Sequence, residues 1–591
     1  MHLLLELAGR ARRPLFLPSL AMLTRAHACA VVILLSRCVV PFSPSLSNRR
    51  APVAPAAPPN RRAALARAAA EDLDELELDP AAVARYRAMR DRAARIERVR
   101  RRRAREQGKK RKEIVPVASV AELRAALGDG ATTLRQLDVR GASPDWRARP
   151  PPRAHPVVRA LAERAAEGSR PGARREGDAK KIALAIEGGG MRGCIAGGMV
   201  TALHYLGLAD AVDVVYGSSA GSLVGAYFIS RQMPHDGPEV YYDCLPTGGT
   251  DFIELRNAVR ALGLGGLDVL RSRALLKDRF AEGSKALGPP VLKLDFLLET
   301  LVQREKPLDW AAFWRAQPSQ PLKVVASGLR TRRARVLSAE GGHFASLPEL
   351  ARCMRASMLL PGIAGPTIND IEGLCDGTGG DEPLADALIL EPIPYRSAIA
   401  EGATHTLVMR TRADGDKVTK DMSVIERLLM RRFFKRKNDL PEMYDHMRDG
   451  VNRRIYAEDI LRLNRASARL DGDGDAAAAA AAAAASARGD GDVDDDAWLA
   501  AADAAVMCAI APRADDARVG RLETDRAAIF EGVRVGFAAA YDALVLGVDP
   551  SRAGEGAAVA REVFPDSILD RNPFAEAKLE AALKSKTRRA Q

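Results

Sequence analysis

An α/β fold with a mainly parallel central sheet is predicted for this chain of 591 residues, and three observations predict it. From Lys181 the run "KIALAI" is compact and apolar, as a strand buried on both faces must be. It is followed by "CIAGGMVTALHYLG" with helical spacing, by the strand-like "AVDVVYG", and by a second helical run, "AGSLVGAYFISR". Strand and helix alternating in this way give parallel strands joined by covering helices. Further on, "LKVVASGL", "ARVLSA" and "HTLVMRT" read as additional strands.

Residues 1–70 have a different texture. Glu6 is their only acid, Arg10, Arg12, Arg13 and Arg25 precede the apolar run "ACAVVILL", and a Ser-, Pro-, Ala- and Arg-rich stretch follows. The apolar run is too short to span a bilayer, which takes about 20 residues. The series of a signal-like core and a transit-like stretch predicts plastid import. A mitochondrial presequence, cytoplasmic residence with peripheral membrane association, and an address-free leader are the alternatives.

Residues 71–180 read as a basic helical extension and linker. Asp79 and Pro80 open a helix whose section 85–112 carries fifteen Lys/Arg against Asp91, Glu97 and Glu106. That section contributes +12 of the formal +13, so the remainder is nearly neutral. It suits a solvated charged helix, or one lying on an anionic membrane. It lacks aromatic interleaving, and no nucleic-acid partner is expected. "RGASPDWRARPPPRAHP" reads as linker.

After a catalytic domain at 181–412, residues 413–470 read as a helical extension, 471–497 as a low-complexity insertion and 498–591 as a strand, a helix and a tail. Asp471, Asp473 and Asp475 begin like a calcium loop, but Ala476 and Ala482 stand where such a loop needs Gly and Glu. The seven cysteines form no C-x-x-C pair. Neither a metal nor a cofactor is expected.

The chemistry centres on "GSSAG", residues 217–221. Ser219 lies between a predicted strand and a predicted helix, the context of a nucleophile elbow, and Gly217 and Gly221 leave room for the sharp turn. "EGGGMRGC" directly follows the first strand. Alone, its G-x-G-x-x-G spacing would suit a dinucleotide, but the second strand lacks the acid that a ribose needs. Beside Ser219 the same glycines become candidate oxyanion donors. His235, His343, His405 and His446 have no setting that marks a base. Asp376, in "CDGTGGDEPLADAL", is the candidate base, with a turn aspartate as the bland reading and Asp381 and Asp386 as competing acids.

"EGGGMRG", "GSSAG" and "DGT" followed by "EPL", together with "MRASMLLPGIAGPTI" and "GATHTLVMRTR", resemble the patatin-like phospholipase family from about residue 181 to 412. The resemblance implies a three-layer α/β/α sandwich and a Ser–Asp dyad that hydrolyses acyl esters of lipids: phospholipid, galactolipid or glyceride. By position it implies Ser219 as nucleophile, Asp376 as base in a motif with Gly377 and Thr378, and an oxyanion hole of Gly188, Gly189, Gly190, Arg192 and Gly193. Thr378 departs from the Gly or Ala usual there. A catalytically silent scaffold is the competing reading, and a nucleotide-binding protein a further one. The run "VIERLLMRRFFKRK" (424–437) suits either a membrane or lipid-droplet surface or a helix packed on the domain.

Overall fold

The computed structural model describes residues 114–128, 132–139, 144–147, 150–151, 153–254, 257, 290–376, 379–471 and 505–590. The leader at 1–70, the basic helix at 85–112, nearly all of the insertion at 471–497, and Gly377 with Thr378 lie outside the described residues.

Two short strands, β1 (Val115–Val117) and β2 (Leu137–Val139), pair in parallel. The main sheet has seven strands: β3 (Ile182–Ile186), β4 (Val214–Ser218), β5 (Leu322–Gly328), β6 (Arg333–Leu337), β7 (Leu384–Ala385), β8 (His405–Met409) and β9 (Val506–Ile510). Their order is β6-β5-β4-β3-β8-β9, with β7 also on β5. The four pairings from β5 through to β9 are parallel, and β6 and β7 run antiparallel to β5.

Alternation along β3 shows how the layers form. Ile182, Leu184 and Ile186 belong to one apolar cluster with helices α1 (Gly193–Tyr205), α2 (Ala220–Ile229) and, late in the chain, Arg526–Val548. Ala185 faces the opposite cluster, with Tyr395, Ile399, Tyr456 and Ile460. Side chains two apart share a face of a strand, so this single strand divides the helices into two layers. The result is the expected α/β/α sandwich with a mostly parallel sheet.

The C-terminal segment completes this core. β9 extends the sheet beyond β8, and the Arg526–Val548 helix packs along α1 so closely that Cβ atoms on Gly198 or Gly536 would lie 1.9 Å from the facing backbone. The sandwich also begins earlier than residue 181. The helix Pro156–Ala166 is part of the core, with His155 capping it and Val157, Val158 and Leu161 fully buried. Its Arg164 is buried and donates to Asp178 (2.7 Å), Asp213 (2.7 Å) and the carbonyls of Ala211 and Lys180. In the stretch read as linker, Trp146 is buried and Arg147 pairs with Asp542 at 2.8 Å. A polar, proline-rich sequence conceals this docking because a few anchoring side chains suffice for it.

In the 424–437 run, the helix Val424–Arg431 leaves Val424 and Leu428 exposed, whereas Phe433 and Phe434 just beyond it are wholly buried. The two phenylalanines are core residues. No described helix is long and apolar enough to cross a membrane.

Candidate active site

Strand β4 delivers Ser219 into a turn with φ +52° and ψ −123°, a region that costs a non-glycine residue roughly 1–3 kcal/mol. The surroundings impose it. A Cβ on Gly221 would lie 2.2 Å from the Ile186 carbonyl oxygen, and one on Gly217 would lie 2.5 Å from Ser222 Cα. Ser219 N–H donates to Ser357 Oγ at 2.7 Å, and Ser222 N–H donates to the Ser219 carbonyl at 2.9 Å. Ser357, near the end of helix Leu347–Met358, in turn donates to the Val325 carbonyl. Helix α2 starts immediately after Ser219 and is buried throughout.

The acid beside Ser219 is Asp386. Its Oδ2 lies 3.4 Å from Ser219 Oγ, at the long end for a hydrogen bond. Strand β5 explains the meeting. Ser218 at the end of β4 is in register with Val325, and Ala385 at the end of β7 is in register with Ser327. Since β6 occupies the other edge of β5 from Val324 to Gly328, β4 and β7 share one edge and approach each other head to head. The next residues in each, Ser219 and Asp386, converge on the position of Ala326.

Asp386 is 2% exposed, and burial pushes its carboxyl up to about 6, with the Leu388 amide, Arg521 and Ser219 pulling part way back. Its Oδ1 accepts from Leu388 N–H at 2.8 Å, which fixes the rotamer and leaves Oδ2 for the serine. A carboxyl in this range is a competent base near neutral pH.

This corrects the assignment of the base to Asp376. The Asp376 side chain accepts from Gly380 N–H at 3.0 Å, its own N–H donates to the Gly380 carbonyl at 2.8 Å, and Arg330 stands 3.5 Å away. It closes its own turn and does not line the Ser219 cavity, which Asp386 does. Asp381 is exposed in the same turn, bridged to Cys375. No local signal pointed to Asp386, because β7 runs antiparallel to β5 and its meeting with β4 is set by register between distant segments.

The glycine loop lies against the elbow as expected, a Cβ on Gly188 being only 2.9 Å from Ser219 Cβ. Two of its members have other duties. Gly188 N–H donates to the Pro392 carbonyl at 3.2 Å, so it is not a free oxyanion donor. Gly193 N–H turns back to the Gly190 carbonyl, and its missing side chain makes room for Tyr241, whose hydroxyl would be 2.3 Å from a Cβ there. Gly189 and Gly190 line the cavity, and their N–H groups have no acceptor among the described residues. Arg192 also lines it. The loop is pinned from behind: Thr411 Oγ1 donates to the Gly188 carbonyl at 2.7 Å, and buried Glu187 accepts from Thr411 N–H and Tyr456 OH, both at 2.5 Å.

The cavity wall is otherwise aliphatic and aromatic, with Tyr241, Leu245, Phe252, Leu292, Leu294, Leu297, Met358 and Leu360. His343, His405 and His446 are engaged elsewhere, with Ser338, Thr404 and the Ile389 carbonyl respectively, and His235 does not line the cavity.

A strained serine at a strand-to-helix elbow, a buried carboxyl beside it and open glycine amides thus meet at one cavity of an α/β/α sandwich. Residues 184–399 match the family model described as patatin-like phospholipase. The crystal structure of VipD from Legionella pneumophila is similar at 15% identity over 36% of this chain and 46% of that one, with a TM-score of 0.18. The chain thus spans less than half the length of that protein. Comparison with curated protein sequences gives no match.

Proposed function

We propose that this protein is a lipid acyl hydrolase working through a Ser219–Asp386 dyad. The observation that carries the reading is the Ser219 Oγ to Asp386 Oδ2 contact at 3.4 Å, in the wall of a largely apolar cavity. Ser219 Oγ attacks the acyl carbonyl carbon as its proton passes to Asp386. The oxyanion is met by Gly189 and Gly190 N–H, with the Arg192 charge nearby. Collapse breaks the ester C–O bond, and protonated Asp386 returns its proton to the departing alcohol, leaving an acyl-serine. Water, deprotonated by Asp386, then releases the fatty acid and restores both groups.

The aliphatic wall supports an acyl chain as the group bound, and the exposed Val424 and Leu428, flanked by exposed Arg427 and Arg431, support contact with a lipid surface. Purified full-length protein is expected to release fatty acid from phospholipid, galactolipid or glyceride, and Ser219→Ala to abolish that release. Absence of hydrolysis on all three lipid classes overturns the reading.

A further inference from the structure

Three arginines reach the Ser219 cavity from three separate segments: Arg192 from the glycine loop after β3, Arg412 after β8 and Arg521 after β9. They lie close enough to one another for their charges to repel, Arg192 and Arg521 each feeling Arg412. Like charges are gathered this way only at a cost, which an ion pair normally offsets. Here none of the three guanidinium groups has a carboxylate partner or a hydrogen-bond acceptor among the described residues, and the Nε atoms of Arg192 and Arg412 are shielded from solvent. The acids nearby are occupied. Glu187 accepts from Thr411 and Tyr456, Asp416 holds Arg518 at 2.6 Å, and Glu426 caps its own helix through Ser423 N–H. Asp386, which attracts Arg521 without an ion pair or hydrogen bond to it, has its oxygens on Leu388 N–H and Ser219 Oγ. The cluster is also held in place. Arg412 stacks 4.6 Å over the Tyr456 ring, and the Arg521 carbonyl accepts from Met191 N–H at 3.0 Å.

We propose that Arg192, Arg412 and Arg521 form a subsite for the phosphodiester of a glycerophospholipid, which makes phospholipid rather than galactolipid or neutral glyceride the preferred ester. The inference rests on Ser219 being the nucleophile. Guanidinium groups match phosphate oxygens in geometry as well as charge. In a glycerophospholipid the phosphate lies a few bonds from each acyl ester, so a cluster lining the same cavity reaches it while an ester carbonyl is at Ser219. A neutral glyceride or galactolipid would leave the half-buried Arg192 and Arg412, and the more exposed Arg521 beside them, without a counter-charge.

The test compares a short-chain, water-soluble phosphatidylcholine with the diacylglycerol of the same acyl chains, using the full-length protein. The wild type is expected to favour the phospholipid by about tenfold or more in kcat/KM, and Arg412→Gln and Arg521→Gln each to reduce that preference about tenfold, chiefly through KM. Arg518→Gln, an exposed neighbour already paired with Asp416, is expected to leave the preference within about twofold. A wild type that favours the diacylglycerol, or equal losses on both substrates in the Arg412 and Arg521 variants, overturns the subsite. Calorimetric titration of the Ser219→Ala protein with glycerol 3-phosphate separates this inference from the one beneath it. Binding that the arginine variants lose, in a protein whose wild type cleaves no ester, sustains the anion subsite and defeats the hydrolase. Intact hydrolysis without such binding does the reverse. Inorganic phosphate that inhibits phospholipid cleavage alone supports a lipid phosphate as the ligand; equal inhibition of diacylglycerol cleavage assigns the cluster to free phosphate and overturns the lipid assignment.

Discussion

Asp376 and Asp386 sit ten residues apart in one loop-rich segment, and the fold gives them opposite fates. Asp376 is enclosed by its own turn, its carboxylate satisfied by a local N–H and by an arginine that is itself mostly exposed. Asp386 has one oxygen tied to Leu388 N–H and the other facing Ser219, with its carboxyl raised by burial. A carboxylate whose partners come from its own turn shapes a loop. One held by strand register against a nucleophile, and desolvated there, can move a proton. The difference lies in which element each aspartate terminates rather than in the residue type.

The sharpest way to break this comparison is to exchange the amides. Asp386→Asn is expected to lower kcat by about three orders of magnitude or more, because an uncharged amide cannot accept the serine proton, whereas Asp376→Asn should keep activity within about threefold. The opposite pattern in fatty-acid release would return the base to Asp376. The pH profile comes next. Hydrolysis of a soluble ester should rise as pH climbs through about 6, since Asp386 acts only when deprotonated, and Asp376→Asn should leave that midpoint in place. A midpoint near 4 would show Asp386 to be hydrated.

The same raised value has a consequence for stability, with a definite sign. Between about 4 and 6 the unfolded chain has already lost the Asp386 proton while the folded chain keeps it, so wild-type stability falls as pH rises across that window and stays lowered above it. Asp386→Asn removes the effect. It should therefore be more stable than wild type at pH 7 by roughly 1–3 kcal/mol, read by chemical denaturation, with no gain at pH 4. Asp376→Asn should show no such gain at either pH.

The smallest effect is expected behind the nucleophile. Ser357→Ala leaves Ser219 N–H and the Val325 carbonyl without their partner and should cost about 1–2 kcal/mol, with kcat lowered roughly tenfold as the elbow relaxes. Substitution by Thr, which restores the hydroxyl, should recover part of both losses. No change in either quantity would mean that Gly217 and Gly221 alone hold the turn.

What could be read from residues alone was whatever contiguous chain encodes. The strand–turn–helix run from Val214 to Ile229 contains its own elbow, because steric exclusion at Gly217 and Gly221 is local. The glycine loop was legible for the same reason, and alternating apolar strands and helices sufficed for the sandwich. Tertiary structure decided the rest. The choice of Asp386 over Asp376 depends on β4 and β7 being measured against the same edge of β5, a register between segments more than a hundred residues apart. The removal of Gly188 from the oxyanion donors depends on the Pro392 carbonyl, some two hundred residues away. Ser357, the gathering of Arg192, Arg412 and Arg521, and the docking of Pro156–Ala166 leave no local periodicity either. Backbone turns are specified by neighbours in the chain, whereas a carboxylate's proton affinity, a free N–H and an unpaired cation are properties of what the fold packs around them.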